Sequence, residues 1–215
     1  MSDPAYELDE SFTYKDYLTW DSPNALINER FEIIDGIAYA MSAPTARHQI
    51  ISWEISLKIG SYLEGKPCRA FAAPFDVRPF PKDDDSDTTV IQPDITIICD
   101  KTKLSDGRAC KGAPDLVIEI LSDSSIVMDR KIKTEVYQKA GVKEYWIVSS
   151  RNVEVYLHRL VNGSYSAVLY RDIVYSEIFP GLEINLDDIR NKIIESIGDT
   201  DSKTTAFRRK NERSN

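Results

Sequence analysis

Histidine and cysteine are scarce in this chain of 215 residues, and their scarcity limits the metal sites that it can build. The histidines are His48 and His158, and the cysteines are Cys68, Cys99 and Cys110, with no CxxC pair among them. These counts exclude a histidine-rich site and a thiolate zinc site. We therefore expect any bound metal ion to be held largely by oxygen, which favours Mg²⁺ or Mn²⁺.

Long apolar runs are missing as well. No run approaches the eighteen residues of a membrane span, and the acidic N-terminus, MSDPAYELDE, lacks the apolar stretch of a secretory signal. The odd number of cysteines argues against a disulfide framework and for a reducing compartment. Together these absences predict a cytoplasmic protein with no membrane contact.

A basic excess is also lacking, because 35 acidic residues outnumber 27 basic ones and give a formal net charge of −8. Proteins that grip a phosphate backbone usually carry a basic surface. The acidic balance therefore counts against a nucleic-acid-binding function. An enzyme that binds nucleic acid only in passing needs less positive charge.

The chain does contain strong periodic patterns, and 42% of its residues are hydrophobic, enough for a core. We predict an α/β fold with a central mixed sheet, flanking helices and an N-terminal hairpin. Residues 11–197 form the single predicted domain, between a tail at 1–10 and a disordered polar tail at 198–215. The predicted helices are 11–20, 45–64, 127–140 and 186–197, and the predicted strands are 30–34, 37–41, 69–78, 90–99, 115–121, 144–149, 153–159, 164–170 and 182–186. The charged segment 79–89 is predicted to be a mobile, solvated loop.

A carboxylate interrupts the otherwise apolar strand 115–121. This residue, Glu119, is costly to bury without a partner, a metal ion or an open cleft. Asp94 follows Pro93 where the preceding strand enters the sheet. If the two strands are antiparallel neighbours, their carboxylates face each other across about 5 Å. Carboxylates that close repel each other unless a divalent cation lies between them, and such a cation would polarise a phosphoryl oxygen and activate a water molecule.

A basic residue follows on the next predicted helix. Asp129, Lys133 and Tyr137 share one face of this helix, beside its apolar stripe. Lys133 borders the buried side, where it can reach toward Glu119 and offset charge that develops in a transition state. The alternative is a surface lysine paired with Asp129 four residues earlier.

Six motifs occur in a recognisable order. They are R-F-E-I-I-D-G at 30–36, M-S-A-P-T at 41–45, A-P-F-D-V-R at 73–78, Q-P-D at 92–94, A-P-D-L-V-I-E-I-L-S at 113–122, and D-R-x-x-K-x-x-x-Y-x-x-x-G-V-x-E-Y-W at 129–146. In this combination, over roughly residues 12–190, the sequence resembles the restriction-endonuclease-like family of the PD-(D/E)XK nuclease superfamily, long catalogued only as a domain of unknown function. The resemblance implies a restriction-endonuclease-like fold.

The resemblance also implies a catalytic set. Asp94 corresponds to the PD aspartate and Glu119 to the acidic residue of the (D/E)XK motif. Leu121 stands where that motif has its lysine, and Lys133 of the following helix looks like its relocated counterpart. Asp94 and Glu119, helped by the Ile120 carbonyl, are the expected metal ligands.

Two further residues are candidates for this site. Glu32 is either a third acidic group at the metal or one half of a salt bridge. His48 is either a phosphate contact or proton relay, or a hydrogen-bonded structural residue.

The leading hypothesis is a Mg²⁺-dependent, endonuclease-like hydrolase that cleaves phosphodiester bonds of nucleic acid, with DNA as the first candidate, and that acts as a homodimer. The alternative is a catalytically idle member of the same fold that binds nucleic acid or a protein partner.

Overall fold

The computed structural model describes residues 11–20, 30–121 and 126–198, without the side chains of 126–130. The predicted tail at 1–10, residues 199–215 of the predicted tail at 198–215, and the side chain of Asp129 lie outside this description. The helices are α1 (Tyr14–Trp20), α2 (Ala46–Leu63), α3 (Ile126–Ala140) and α4 (Leu186–Ile197). The strands are β1 (Phe31–Ile34), β2 (Ile37–Ala40), β3 (Arg69–Ala72), β4 (Asp76–Arg78), β5 (Ile95–Ile98), β6 (Ala109–Lys111), β7 (Leu116–Leu121), β8 (Glu144–Ser149), β9 (Val155–Val161), β10 (Ser164–Tyr170), β11 (Ile173–Tyr175) and β12 (Glu183–Asn185). None of the helices in these ranges is long and apolar enough to cross a membrane.

A six-stranded mixed sheet forms the centre of the fold, as predicted. Its strand order is β10-β9-β8-β7-β5-β3. The neighbours β7 and β8 are parallel and are joined through α3, whereas the other neighbouring strands are antiparallel. Helices α2 and α4 cover one face of this sheet and α3 covers the other. The architecture is therefore helices packed on both faces of one sheet.

Strand β7 is buried on both faces, and its alternating side chains separate two cores. Leu116, Ile118 and Ile120 join the core beneath α2 and α4. Val117 and Leu121 join the core beneath α3. Glu119 shares the α3 face, because strand side chains alternate with a period of two. A charged residue is thus placed at a buried position by the register of an apolar strand.

Local signals in the sequence set several element boundaries. The capping box at α1 is present, since Thr13 N donates to Asp16 Oδ2 at 2.8 Å and Asp16 N donates to Thr13 Oγ1 at 3.3 Å. Thr45 caps α2 by accepting from the backbone N–H of residue 48. The β1–β2 turn has φ of 50° at Asp35 and 83° at Gly36, the left-handed geometry that an Asp-Gly hairpin requires.

Two predicted strands are shorter than expected. The segment 69–78 is divided into β3 and β4 by the cis peptide bond between Ala73 and Pro74. The segment 90–99 retains only β5 as a regular strand, while Val90 and Ile91 make isolated bridges. Proline explains both interruptions, because Pro74 and Pro93 lack the N–H that a ladder needs.

The expectation that the cysteines stay unpaired is wrong. Cys68 precedes β3 and Cys99 follows β5, and the register that pairs Arg69 with Ile98 places them opposite each other. They form a disulfide with a Cα–Cα distance of 4.0 Å, while Cys110 is free and buried. Strand register, rather than sequence spacing, creates this pair. The argument for a reducing compartment from cysteine usage therefore loses its basis.

The middle of the charged loop after β4 is exposed, as predicted, but the end of the loop is anchored to β4 by a buried ion pair. Arg78 at the end of β4 is 1% exposed, and so is Asp87. The guanidinium donates to Asp87 through Nε at 2.9 Å and through Nη2, and Nη1 lies 2.8 Å from Asp85 Oδ1. A buried bidentate pair of this kind ties the loop to the strand.

Candidate active site

Asp94 lies just before β5, and Glu119 lies on β7, the antiparallel neighbour of β5. The β5–β7 register pairs Ile95 with Ile118, so the next pair outward is Asp94 with Glu119. Asp94 Oδ2 also accepts a hydrogen bond from the backbone N–H of Ile120 at 2.7 Å. The predicted pairing of the two acidic residues is therefore present, and the backbone of β7 fixes the Asp94 carboxylate.

The Glu119 carboxylate is 4% exposed and is held by two donors from α3. Lys133 Nζ donates to Glu119 Oε1 at 3.1 Å, and the Tyr137 hydroxyl donates to the same oxygen at 2.8 Å. Both of these bonds end on Oε1. One helical turn separates Lys133 from Tyr137, which explains why both reach one atom.

Lys133 is 8% exposed and lies between two glutamates, so its interpretation as a surface lysine is wrong. Its ammonium group lies 2.9 Å from Glu32 Oε1 and 2.9 Å from Oε2. Glu32 is 5% exposed, and its Oε1 also accepts from the backbone N–H of Gln92 at 2.9 Å. Glu32 is thus half of a salt bridge, and it lies one ammonium group away from Glu119.

Burial and charge shift the titration of this cluster. Burial raises the pKa of Glu119; Lys133 opposes that shift, and Glu32 and Asp94 add to it. Burial lowers the pKa of Lys133, but the Glu119 and Glu32 carboxylates outweigh burial and leave this pKa well above its ordinary value. The lysine therefore stays positively charged. Its ammonium group lies between two carboxylates, Glu32 and Glu119, and Asp94 is a third acid near Glu119. A further cation would relieve this crowding of acidic groups.

His48, in the first turn of α2, contacts the outer side of the pair. Its Nε2 lies 3.2 Å from both Asp94 oxygens, and both side chains are 18% exposed. Burial lowers the pKa of His48, but the hydrogen bond and charge of Asp94 raise it, with smaller contributions from Glu119 and the Ile120 backbone, and the net shift is upward. The imidazole thus lies where Asp94, Glu119 and the backbone of residue 120 converge.

Two neighbours of the cluster escaped the sequence argument. The sequence places Tyr137 on the helix face of Lys133 but assigns it no partner; its position four residues after Lys133 is the signal for the shared partner Glu119. Gln92 supports Glu32 through its backbone, and its side chain accepts from Arg30 Nε at 3.0 Å and donates to Asp76 Oδ1 at 2.8 Å. Its place two residues before Asp94 is the signal that would have identified it.

The donor set fits a small divalent cation. Asp94 and Glu119 offer carboxylate oxygens and Ile120 offers a backbone carbonyl, the hard ligands that Mg²⁺ and Mn²⁺ prefer. Among the described residues, no three histidine, cysteine or acidic side chains are arranged as a metal cage. Mg²⁺ does not need such a cage, because it keeps several water molecules and binds through one or two carboxylates.

The mixed sheet and this buried acid–lysine cluster define a restriction-endonuclease-like protein, and comparisons agree on the fold. A crystal structure described as a "putative nuclease belonging to DUF820" from Anabaena variabilis superposes with a TM-score of 0.65 at 20% identity, covering 84% of this chain and 98% of that one. The uncharacterized protein slr1290 of Synechocystis sp. is 26% identical over 159 residues, which are 73% of this chain and 79% of that protein. Residues 14–187 match the model of the Uma2 family, described as "Putative restriction endonuclease". The chain belongs to the Uma2 family, and the resemblance seen in its sequence is confirmed.

Proposed function

We propose that this protein is a Mg²⁺- or Mn²⁺-dependent nuclease that hydrolyses phosphodiester bonds, with DNA as the first substrate to test. The observation that supports this most is the buried Lys133, held between Glu32 and Glu119, while Asp94 lies just before the adjoining strand β5. A structural salt bridge needs one acid for one base. Two acids on one lysine, with a third acid near Glu119, fit a site built for a second cation.

In this proposal, Asp94 and Glu119 hold the metal ion together with the Ile120 carbonyl. When bound, the ion supplies a Lewis acid and a water molecule of lowered pKa. Lys133 and Tyr137 hold Glu119 Oε1 and thereby direct Oε2 toward the metal position. The Lys133 ammonium, kept charged by its carboxylates, also offsets negative charge that builds on the phosphate and orients the attacking water.

Glu32 and His48 have supporting roles in the same proposal. Glu32 holds Lys133 by a salt bridge in which both of its oxygens take part, so it positions the lysine rather than the substrate. His48 Nε2 lies against Asp94, at the side where a phosphate would approach. There the imidazole contacts a phosphate oxygen or passes a proton to the leaving group.

Isosteric substitutions test the two acids. Asp94→Asn and Glu119→Gln keep size and hydrogen bonding but remove the charges that bind the metal ion. We expect each to lower cleavage of supercoiled plasmid and single-stranded DNA, with Mg²⁺ or Mn²⁺, by at least roughly 100-fold, the scale of losing one preorganised charged group. Asp115→Asn is the matched control, because this acid lies just before β7 and pairs with Lys143. Full activity in both site variants would refute the assignment.

A catalytically idle binding protein is the second candidate function. Its support is Leu121, which stands where the superfamily has its strand lysine, together with the net charge of −8. Calorimetric titration separates the two candidates. Binding of Mn²⁺ that is lost in Asp94→Asn supports the nuclease, whereas no binding at millimolar metal, together with no cleavage, supports the idle protein.

A further inference from the structure

The two edges of the central sheet differ in how well they are protected. Edge strand β3 has four residues, begins with Arg69, and is flanked by Pro67 and by the cis bond to Pro74. Short length, charge and proline are the devices that keep an edge from pairing with another chain. Edge strand β10 has seven residues, SYSAVLY, with no charge, no proline and no glycine. Its central residues are exposed, so β10 is the edge open to another strand.

The backbone groups that β10 offers follow from its pairing with β9. A two-residue turn joins these strands, with Val161 opposite Ser164, so every second residue from Ser164 onward bonds to β9. The alternate residues, Tyr165, Ala167 and Leu169, turn their N–H and C=O groups outward. The Tyr165 N–H confirms this phase, because it donates to Gln138 Oε1 of α3 at 2.8 Å.

Gln138 thus occupies one end of the edge and leaves two outward-facing residues. Within the described part of the chain, no strand pairs with the outer side of β10. Ala167 and Leu169 therefore present an N–H and a C=O each. Between them lies Val168, which is 48% exposed. Unpaired backbone groups around an exposed valine are the pattern that another β-strand recognises.

We propose that a second copy of this chain docks on β10, with the two β10 strands antiparallel and Val168 on the two-fold axis. In this register Ala167 of each copy is opposite Leu169 of the other, and each pair exchanges both backbone hydrogen bonds. Val168 then faces its own counterpart at a non-hydrogen-bonded position, where side chains approach most closely. The sheet becomes continuous across twelve strands, and Gln138 keeps its bond to Tyr165.

The sequence of the strand selects its own copy as the occupant. The next pairs outward are Ser166 with Tyr170 and Tyr165 with Arg171, so no two like charges oppose each other. The two free residues are symmetric about Val168, which is the condition for an isologous interface. This inference does not depend on the proposed nuclease activity, because none of the residues of the candidate site lies on β10.

Proline at the outward N–H tests the interface. Ala167→Pro removes a donor that β9 does not use, and proline is tolerated at such an edge position. We expect wild type to sediment as a concentration-dependent dimer and Ala167→Pro to remain a monomer over the same range. Val168→Lys is a second variant, for use if the proline variant fails to fold. It places two positive charges opposite each other on the two-fold axis, and we expect it to abolish the dimer as well. Leu57→Lys is the control, since Leu57 is a similarly exposed apolar residue on α2.

Oxidative cross-linking tests the register. Val168→Cys lies opposite itself on the axis and is expected to form an intermolecular disulfide, whereas Ala167→Cys faces Leu169 and is expected to stay unlinked. A wild type that remains monomeric at high concentration overturns the proposal. A dimer that persists in both Ala167→Pro and Val168→Lys, or cross-links only through other positions, also overturns it.

Discussion

Two buried clusters in this protein each join one basic side chain to two carboxylates, and they are built differently. In the first cluster, the Arg78 guanidinium forms a bidentate pair with Asp87. The guanidinium carbon, Cζ, lies 4.0 Å from the centroid of the Tyr14 ring. Its second acid, Asp85, has 38% of its side chain exposed, so water screens the surplus charge. All three guanidinium nitrogens contact a carboxylate oxygen, which suits a structural anchor.

In the second cluster, Lys133 is a point charge between Glu32 and Glu119, whose side chains are only 7% and 5% exposed. Water does not screen this surplus, and Asp94, just before β5, adds to it. The comparison shows that a buried ion pair alone does not mark a site. The proposed site depends instead on an excess of carboxylates that water does not screen.

Removing the basic residue is expected to have the largest effect on each cluster. Lys133→Met and Arg78→Met each leave buried carboxylates without a partner, so each is expected to lower the free energy of unfolding by about 3–5 kcal/mol. Adding Glu32→Gln to Lys133→Met is expected to restore part of this stability without restoring DNA cleavage. Urea denaturation measures the stabilities, and Lys131→Met, on the exposed side of α3, is the control. A loss below about 1 kcal/mol in Lys133→Met, the range of a surface pair, would contradict this comparison.

Titration of Glu119 gives the next effect. Burial raises its pKa above the ordinary value, so the folded chain keeps this proton at a pH where the unfolded chain has lost it. The resulting stability is complete below the unfolded pKa and is lost as pH rises through the folded one. We therefore expect the free energy of unfolding to fall between about pH 4.5 and neutrality, by at most about 1.4 kcal/mol per unit of pKa shift.

Glu119→Gln is expected to flatten that part of the pH profile, measured by urea denaturation at a series of pH values without metal. Glu135→Gln removes an exposed glutamate from the same helix, so its profile should follow that of wild type. If the profile of Glu119→Gln also followed wild type, Glu119 would not be the group that titrates.

Two tyrosines give the smallest and sharpest contrast between the clusters. Tyr137→Phe removes a hydroxyl that donates to Glu119, so we expect a loss of about 1–2 kcal/mol of stability together with weaker cleavage. The buried Tyr14 hydroxyl meets no hydrogen-bond partner among the residues that the structure describes. Tyr14→Phe is therefore expected to be neutral or slightly stabilising and to leave activity intact. Thermal unfolding and plasmid cleavage check both variants; equal effects would argue that the clusters do not differ.

Local patterns predicted much of this fold. The N-terminal hairpin, helix α1 and strand β7 depend on neighbours in sequence, and each appears within its predicted segment. The pairing of Asp94 with Glu119 was also accessible, because these strands follow one another along the chain. Neighbouring residues suffice to specify features of this kind.

Contacts between distant segments were not accessible in the same way. The salt bridge of Glu32 with Lys133 spans 101 positions, and the disulfide of Cys68 with Cys99 depends on the register of β3 against β5. Periodicity states which side of an element is buried, but not which other element covers that side. Glu32 and His48 could therefore be named as candidates, while their partners could not be assigned.

The separation between Glu32 and Lys133 also affects the order of events during synthesis. A ribosome exposes the hairpin that carries Glu32 long before it releases α3, and both acids of the β5–β7 pair emerge in between. Until Lys133 is released, Glu32 and Glu119 lack the ammonium group that they share in the folded chain. The proposed site is therefore assembled only when most of the domain has left the ribosome. A chain cut short before α3 is expected to leave nucleic acid untouched.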